Sequence, residues 1–325
     1  MTPHTPLELY STPASHTGST APTVRKRNPL DPEDVFLSPA WATLAGLSAW
    51  VGLALMRRFG WLGALVTGAV GAVVGLYATL VEPRWPVLER HELWIADLPA
   101  HLDGLRIGQI SDIHLGMPAA AHNLRWAVAQ MKREQPDVLV FTGDFIHRRV
   151  AQTELPTLLA GIAAPLGMYG VGGNHDGWES GGVLRDTLAA GGITLLVNEH
   201  RRLEWNSGEF FVVGLDDVWD GSPALEGALD GVPLSAFALL LAHTPHDAAT
   251  AAKLGIDVQL SGHTHGGHMV LPLLGPIARP RYTGRFLSGM FQVGRMTLYV
   301  SRGLGGAPLR LACRPEAAIF TLRRT

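Results

Sequence analysis

Hydrophobic residues are distributed in two different ways along the chain, and the change occurs near residue 84. Before it, two runs contain no charged residue: residues 37–56, LSPAWATLAGLSAWVGLALM, and residues 61–81. At about 1.5 Å per residue, each run is long enough as a helix to cross the roughly 30 Å hydrocarbon core of a bilayer. Because only residues 57–60 separate them, the pattern predicts two transmembrane helices in a hairpin over residues 37–83.

Two other interpretations of this hairpin exist: a buried hairpin of a soluble protein, and a cleaved signal peptide. The signal peptide is disfavoured because the first apolar run starts late and no small-x-small site precedes a mature start. Gly71 and Gly75 have the GxxxG spacing that lets helix backbones approach closely in lipid. Small residues are also common in membrane helices generally, so this spacing supports helix contact without requiring it.

Beyond about Arg84, short apolar runs alternate with helical stretches rich in Ala and Leu. Seven runs have the length and the β-branched or aromatic content of strands: LRIGQIS (105–111), DVLVFTG (137–143), MYGVGG (168–173), FFVVGL (210–215), FALLLA (237–242), VQLSG (258–262) and TLYVS (297–301). Helices are predicted over residues 119–134 and 180–190. Strands separated by helices predict a layered α/β domain, which we place at residues 84–325.

Amino-acid composition and net charge make several classes of function improbable for this chain. Residues 1–36 are rich in Thr, Pro, Ser and His without a sustained apolar period, which predicts a disordered tail. The mean hydropathy of +0.16 agrees with part of the chain lying in lipid. A formal charge of −2 gives no general attraction to nucleic acid, which is therefore not an expected partner. The single cysteine, Cys313, excludes an intrachain disulfide and a thiolate-ligated metal site.

Side chains that bind metals follow five of the predicted strands. They are Asp112, His114, Asp144, Asn174, His243, His263 and His265. Ligands of layered α/β domains bind beyond the carboxyl ends of the strands, so we expect these residues on one rim. Carboxylate, imidazole and amide groups without thiolate suit Mn, Fe, Co, Ni or Zn. Seven ligands are too many for one tetrahedral ion, so the sequence predicts two divalent ions.

Spacing and neighbouring glycines support this prediction. Asp112 and His114, like His263 and His265 later, are two residues apart, which directs both side chains of an extended segment into the same space. Three glycines stand beside the ligands and permit tight turns and close backbone approach: Gly143, Gly173 and Gly262. A lone aspartate at a strand end is commonly a turn residue or a helix cap, so the prediction depends on the whole ordered set.

Between residues 105 and 265 the chain contains, in order, D-x-H in SDIHLG, G-D in TGDFIH, G-N-H-D in GNHDGWES, a lone His in HTPH and G-H-x-H in GHTHGG. With this pattern it resembles the calcineurin-like metallophosphoesterase superfamily. The segments GLDD, SRGLGG and CRPE are similar to those of its bacterial membrane-associated branch. The resemblance implies a layered β-sandwich flanked by helices, preceded by the transmembrane hairpin, and a metal-dependent phosphodiesterase or phosphatase activity.

The resemblance also implies a role for each residue. One ion is held by Asp112, His114, Asp144 and His265, and the other by Asp144, Asn174, His243 and His263, with Asp144 bridging. His175 is the family's non-ligand histidine, a general acid or charge stabiliser that Asp176 orients. Two such ions clamp a phosphate, offset its charge and lower the pKa of a bound water. A histidine with a pKa near ~6.5 can protonate a leaving alcohol near neutral pH.

Other polar residues near the motifs have ordinary interpretations as well as functional ones. A substrate contact or a supporting hydrogen bond to a ligand is conceivable for His147, His246 and His268, but a plain hydrogen-bonding histidine is the simpler interpretation. Asp216 and Asp217 can line the rim or form an ordinary loop pair. Arg302 and Arg310 are candidates for contact with a phosphate.

Three functions remain open after these steps. The leading one is hydrolysis of a lipid-linked or nucleotide-sugar-lipid phosphoester, since the anchor holds the site near a bilayer. The second is hydrolysis of soluble phosphoesters or nucleotides at a membrane location, and the third is a non-catalytic scaffold that retains metals for stability. The complete ligand set and His175 argue against the scaffold. The oligomeric state stays open.

The resemblance to the bacterial membrane-associated branch implies a location in the bacterial inner membrane, and the positions of charged residues bear on the orientation. A hairpin puts both its ends on one side, with Arg25, Lys26, Arg27, Arg84 and Arg90 there and two arginines, 57 and 58, in the turn. This comparison mildly favours a cytoplasmic catalytic domain.

The linker from residue 82 to residue 105 is short and apolar. Its Trp and Leu residues predict either a segment at the membrane interface or an opening strand packed on the domain.

Overall fold

A computed structural model describes residues 35–37, 40–179, 182–271 and 273–325, with the side chains of these residues except 35–45 and 179. Two six-stranded mixed sheets form its centre. The first contains, in spatial order, β2 (Val87–Ile95), β16 (Glu316–Arg324), β3 (Arg106–Ile110), β4 (Val138–Thr142), β5 (Met168–Val171) and β6 (Ile193–Leu195). The second contains β14 (Gly289–Val293), β15 (Met296–Val300), β10 (Val258–Ser261), β9 (Ala238–Leu241), β8 (Gly208–Gly214) and β7 (Glu199–Trp205).

The remaining elements are shorter or lie outside these sheets. Two strand pairs are β1 (Val35–Leu37) with β13 (Ala278–Pro280), and β11 (Val270–Leu271) with β12 (Gly275–Pro276). The helices are α1 (Ala40–Phe59), α2 (Trp61–Leu76), α3 (Ala120–Glu134), α4 (Leu155–Leu158), α5 (Asn174–Glu179), α6 (Leu184–Ala190), α7 (Leu225–Ala228) and α8 (Ala248–Lys253). Apart from residues 35 and 36, which belong to β1, the predicted tail lies outside the described residues.

The two sheets pack face to face, and helices cover their outer faces. Between the sheets, Ile107 and Val140 of the first share a buried cluster with Leu239 and Leu260 of the second. Two further clusters lie on the outer faces, one against α3 and the other against α7 and α8. The central strands are apolar without alternation because both of their faces are buried; all five residues of β4 are inaccessible. The predicted layered sandwich flanked by helices is confirmed.

Parallel pairing brings the functional strand ends to one edge of each sheet. Strands β3, β4 and β5 run parallel in the first sheet, and β9 and β10 run parallel in the second. Gln109 of β3 joins the two edges, since its amide donates to the Ser261 carbonyl of β10 at 3.0 Å and to the Thr142 hydroxyl at 2.9 Å. The loops that follow these strands therefore meet in one place. All seven predicted strands are confirmed, as is the helix predicted at 119–134, while the second predicted helix begins only at Leu184.

Residues 61–84 form one continuous helical segment: α2, then a π-helical turn (Tyr77–Val81) and a 3-10 turn (Glu82–Arg84). Within the part of the chain that the structure describes, Trp61–Arg84 is the one helix long and apolar enough to cross a membrane, with a mean hydropathy of 2.0. Only 6% of its most apolar stretch is buried, so its side chains lack a protein environment. α1 precedes it over Ala40–Phe59, and membrane crossing by this first helix stays a prediction.

The close approach between α1 and α2 occurs at a different glycine from the predicted pair. A Cβ atom at Gly63 would lie 2.3 Å from the Leu55 carbonyl oxygen, so only glycine fits there. At Gly71 and Gly75 a Cβ atom would meet no described atom within 4 Å. The GxxxG pair is therefore not used in the contact between these two helices.

The apolar linker is a strand of the first sheet. β2 pairs in parallel with β16 along its whole length, from Val87 opposite Glu316 to Ile95 opposite Arg324. Leu93 is buried, whereas Trp94 on the other face is 60% exposed. The opening-strand interpretation is confirmed for Val87–Ile95, and contact of the exposed linker tryptophans with a membrane interface stays a prediction.

Candidate metal centre

All seven side chains predicted to bind metals are buried at the shared edge of the sheets. Asp112 and His114 follow β3, Asp144 follows β4, and Asn174 opens the helix after β5. His243 follows β9, while His263 and His265 follow β10. The side chains come from five loops, yet the structure brings all of them together.

The first group of donors contains four of these residues. One ligand atom from each of Asp112, His114, Asp144 and His265 can be chosen so that all four lie within 4.8 Å of one another. The Nε2 atom of His114 is 3.1 Å from Nε2 of His265 and 3.3 Å from Oδ2 of Asp144. Carboxylates and imidazoles converging at these distances are a donor set that fits a divalent transition metal.

The second group surrounds the Nε2 atom of His243. This atom is 3.1 Å from Oδ1 of Asn174, 3.3 Å from Nδ1 of His263 and 3.4 Å from Oδ2 of Asp144. Because Oδ2 of Asp144 also approaches His114, the same oxygen lies between the two groups. The arrangement is the one expected of a carboxylate shared by two ions.

Carbonyl oxygens fix which nitrogen of two histidines faces the centre. His243 donates from Nδ1 to the Thr142 carbonyl at 2.8 Å, and His263 donates from Nε2 to the Arg281 carbonyl at 2.7 Å. A carbonyl can only accept, so these nitrogens carry a proton, and the other nitrogen of each ring presents a lone pair when the ring is neutral. Both lone pairs point into the second group, as metal ligation requires.

The two buried carboxylates at the centre, Asp112 and Asp144, also favour binding of a cation. The pKa of Asp112 is raised to about 7, chiefly by burial and also by the nearby Asp144 carboxylate, against the opposing effect of His243. Burial works against ionisation of Asp144 as well, but three histidines, led by His243, hold its pKa well below its usual range. In turn Asp144 raises the pKa of His243 despite burial. A proton and a metal ion are thus alternative partners for the Asp144 carboxylate.

The other ligand histidines are neutral at pH 7. Burial lowers the pKa of His263 to about 3, and burial also lowers the pKa values of His114 and His265. Neutral imidazole is the form that binds a metal.

The backbone at the centre is unusual for non-glycine residues. Five ligands have positive φ angles between 49° and 71°: Asp112, His114, Asp144, His263 and His265. Such angles are costly for residues with a Cβ atom and persist only where surrounding structure holds them. Gly262 provides the close approach, because a Cβ atom there would lie 2.2 Å from Oδ2 of Asp112.

His175 lies beside the first group, and Asp176 has a different set of partners from the predicted one. The His175 ring is 4.7 Å from the His114 ring, and the His175 amide donates to Oδ1 of Asp144 at 2.9 Å. Burial lowers the pKa of His175. Asp176 accepts from the amides of Ile146 and Gly173, both at 3.0 Å. These bonds tie the β4 and β5 loops together, so any effect of Asp176 on His175 passes through the backbone.

Two of the additional histidines contact ligands directly. Nδ1 of His147 is 3.2 Å from Nδ1 of His114, and the His147 ring stacks on His175 at 4.8 Å between centroids. The His268 ring stacks on His265 at 4.6 Å. His147 therefore bonds the ring nitrogen of His114 that faces away from the first group, which is the usual support for a ligating histidine.

Arg302 and Arg310, the two candidates for a phosphate contact, have partners within the protein. Arg302 pairs with the carboxylates of Glu316 and Glu89. Arg310 is 1% exposed and donates to backbone carbonyls, among them that of Gly305 at 2.6 Å. Both guanidinium groups are thus already bound within the protein.

A row of aromatic side chains lies at the rim, and the sequence motifs do not predict it. Trp178 packs against His175 with 4.9 Å between ring centroids, Trp219 packs against Trp178 at 5.9 Å, and Tyr282 packs against Trp219 at 5.3 Å. Trp219 also lies 6.1 Å from His263. Their only sequence signal is that Trp178 and Trp219 follow the GNHD and GLDD segments by a few residues.

Comparison with known proteins agrees with this geometry. Residues 105–267 match a family model described as calcineurin-like phosphoesterase. The chain is 36% identical over 280 residues to the uncharacterized metallophosphoesterase YkuE of Bacillus subtilis (strain 168). The aligned region covers 83% of this chain and 98% of that protein.

Two relatives have names that describe a reaction. Phosphodiesterase YaeI of Escherichia coli (strain K12) is 29% identical over 256 residues, covering 76% of this chain and 92% of that protein. The UDP-2,3-diacylglucosamine pyrophosphatase LpxG of Chlamydia muridarum (strain MoPn / Nigg) is 27% identical over 310 residues, covering 78% of this chain and 94% of that protein. Each similarity therefore extends over three quarters of the chain or more.

Proposed function

The chain belongs to the calcineurin-like phosphoesterase family and is a metal-dependent hydrolase of phosphoester bonds, and we propose that it cleaves a diester or pyrophosphate bond in a substrate carried by a bilayer. The seven residues of the two donor groups would hold two divalent ions, with Asp144 belonging to both groups. The identity of the ions, among Mn, Fe, Zn, Co and Ni, is a matter for metal analysis.

The side chains at the centre have different roles in the reaction. When bound, two divalent ions offset the charge of the phosphate and lower the pKa of a water molecule. Asp144 positions both donor groups, while the Thr142 and Arg281 carbonyls fix the tautomers of His243 and His263. His175, when protonated, donates to the leaving oxygen; the nearby Asp144 carboxylate favours this form, against the effect of burial, which lowers the pKa of His175. Trp178 packs against His175 and excludes water from that side of the ring.

The observation that supports a bilayer-borne substrate is a short path from the membrane helix to the centre. The Arg310 amide donates to the Ala78 carbonyl of the helical segment at 2.8 Å. The next residue, Leu311, donates its amide to the His268 carbonyl at 3.0 Å. His268 in turn stacks on the ligand His265. One backbone segment thus separates the helix from a residue that contacts the metal centre.

The end of the helix carries side chains suited to a membrane interface. Trp85 is 53% exposed, and the Arg314 guanidinium lies 4.3 Å from the centroid of its ring. Tryptophan and arginine are favoured at the level of lipid headgroups. Because Ala78 precedes Trp85 by seven residues, about 10 Å of helix, the Arg310 contact lies on the bilayer side of this pair. The relatives' names, one a phosphodiesterase and one a pyrophosphatase of a diacylated molecule, agree with the proposal.

The reaction class can be tested with purified, metal-loaded, full-length protein in mixed micelles. We expect faster hydrolysis of bis-p-nitrophenyl phosphate than of p-nitrophenyl phosphate. A preference for the monoester would contradict the diester assignment.

The substrate's location needs a second comparison, between the full-length protein and a chain truncated before residue 77. We expect the full-length protein to cleave a lipid phosphoester much faster than the truncated chain, and both to cleave a small soluble diester equally. Equal rates on both substrates would favour the alternative function, hydrolysis of soluble phosphoesters by an enzyme anchored only for its location.

We propose a cytoplasmic catalytic domain in a bacterial inner membrane. Leu234→Cys tests this orientation, because Leu234 is 97% exposed and the native Cys313 is buried. A membrane-impermeant thiol reagent should label this variant only after cells are permeabilised. Labelling of intact cells to the same extent would place the domain on the outer side.

A further inference from the structure

A cavity of about 350 Å³ borders the metal centre and plays no part in the roles described so far. Its lining comes from one loop: Arg279, Pro280, Arg281, Tyr282, Thr283 and Gly284. The Arg281 carbonyl accepts the hydrogen bond from His263. The same residue therefore lines the cavity and positions a proposed metal ligand, which places the cavity next to the second donor group.

Aromatic rings form the border between the cavity and the centre. Tyr282 lines the cavity and packs edge-to-face against Trp219 at an interplanar angle of 77°. Trp219 lies 6.1 Å from His263 on one side and 5.9 Å from Trp178 on the other. The rings are held at distances typical of aromatic pairs. Together they form an aromatic wall, defined as Trp178, Trp219 and Tyr282, that runs from His175 to the cavity.

The middle of the wall is rigidly placed and has an unused hydrogen-bond donor. The Asp217 carboxylate accepts from the Trp219 amide at 2.8 Å, and Asp216 accepts from the amides of Asp217 and Ser222. The indole nitrogen of Trp219 is buried and has no hydrogen-bond partner among the described residues. Buried indole N–H groups normally have a partner. A ligand with a carbonyl or ring nitrogen next to this ring would supply one.

Charge in the cavity adds a second preference. Two arginines, Arg279 and Arg281, belong to its lining, and the lining residues include no Asp or Glu. Nη1 of Arg279 donates to the Gly284 carbonyl at 3.2 Å. Such a lining suits an anionic or oxygen-rich ligand. A planar ring that also carries hydrogen-bond acceptors and a phosphate combines every feature that the wall and the cavity offer.

We infer that the aromatic wall and the adjoining cavity bind the nucleobase of a nucleotide moiety in the substrate, a role that rests on the proposed phosphodiester or pyrophosphate hydrolysis. The base stacks on the wall, and the phosphate reaches the metal centre. The bond that is cleaved then joins a nucleotide to the rest of the substrate. The wall thereby selects the nucleotide half of the substrate.

The test compares two phosphates that differ in the base: uridine 5′-monophosphate and ribose 5-phosphate. Both are used as inhibitors of methyl p-nitrophenyl phosphate hydrolysis by full-length, metal-loaded protein in micelles, and their binding is measured in parallel by calorimetry. We expect uridine monophosphate to bind about tenfold more tightly or better, the gain typical of base stacking on an aromatic side chain. Equal affinities would overturn the inference while leaving the reaction class intact.

Variants locate the preference on the wall. Trp219→Leu should reduce the affinity ratio of the two phosphates to near one, and Trp219→Phe should restore most of it because a ring is retained. The matched control is Trp94→Leu, since Trp94 is 60% exposed on β2 and should leave the ratio unchanged.

Calorimetry reports binding without turnover. If no diester is hydrolysed but the base still binds at the wall, the proposed function fails and the subsite remains. A ratio that Trp219→Leu does not alter would place the base elsewhere and overturn the inference.

Discussion

At the scale of single residues, Asp144 is the position on which both donor groups depend. Asp144→Asn removes the negative charge that His114 and His243 share. We expect the variant to lose most activity and to contain less of both metals, because a carboxylate that bridges two ions neutralises and positions them together. Elemental analysis of the purified variant measures this directly. Two full metal equivalents would contradict the bridging role.

His175 should behave in the opposite way with respect to metal content. The His175→Ala variant keeps all seven ligand side chains, so we expect full metal occupancy. Turnover of a diester with an alkyl leaving group should fall by about 10²- to 10⁴-fold, the range typical of a lost general acid. A p-nitrophenyl ester, whose leaving group needs no proton, should be affected less. An equal loss on both substrates would exclude proton donation and leave charge stabilisation.

At the scale of elements, one carboxylate at the end of α3 connects three elements. Glu134 accepts from Arg90 of β2 at 2.6 Å and from Arg106 of β3 at 2.6 Å. Hydrogen bonding to Arg90 is the main cause that lowers the pKa of Glu134; burial opposes it, and hydrogen bonding to Arg106 lowers the pKa further. Since the folded-state pKa is lowered, the stabilisation is fully present above the usual value of 4.5 and is lost as the pH falls through the folded-state value.

The matching test is Glu134→Gln. At pH 7 the free energy of unfolding should fall by about 0.5–1 kcal/mol, since Arg90 is largely exposed and water and salt screen the pair. Below pH 4.5 the difference between the variant and the native protein should shrink. Denaturant titrations at several pH values measure both quantities. A difference that does not change with pH would assign the effect to packing rather than to charge.

At the scale of the whole molecule, the catalytic domain extends into the helical segment. The sequence predicts that removal of residues 1–83 leaves a soluble, folded domain. In the structure Glu82 and Pro83 are buried, and the Glu82 carboxylate accepts from the Cys313 amide at 2.5 Å. Asn123 donates to the Pro83 carbonyl at 2.8 Å. A cut before residue 84 removes the partner of the Cys313 amide and leaves the Asn123 amide only its bond to the Leu304 carbonyl, whereas a cut before residue 77 retains all of these bonds.

We therefore expect the chain of residues 84–325 to be less stable than the chain of residues 77–325. Each lost hydrogen bond is worth about 1 kcal/mol, and together with the Arg310 contact to Ala78 the loss is roughly 2–3 kcal/mol. For a domain of this size the Tm should drop by about 5–10 °C. Thermal unfolding of the two chains at the same metal concentration measures the difference. Equal Tm values would show that the helical segment does not stabilise the domain.

The sequence by itself determined the elements and the residues of the centre. Alternating apolar runs and helical stretches specify strands and helices locally, and buried central strands such as β4 lack polar positions because both faces are covered. Five ordered blocks predict the seven donor residues, because metal chemistry restricts each position to a few residue types, and the structure places all seven together. The secondary structure and the metal-binding motifs depend on residues that are close together in the sequence, so both can be predicted without a structure.

Tertiary structure alone decided which groups meet across distant segments. The tautomers of His243 and His263 depend on carbonyls of Thr142 and Arg281, and the wall around Trp219 joins rings from three loops. The linker became strand β2 because a partner strand, β16, is available more than 200 residues later. Such contacts depend on the packing of two sheets, and no local pattern encodes the distance between residues far apart in the chain.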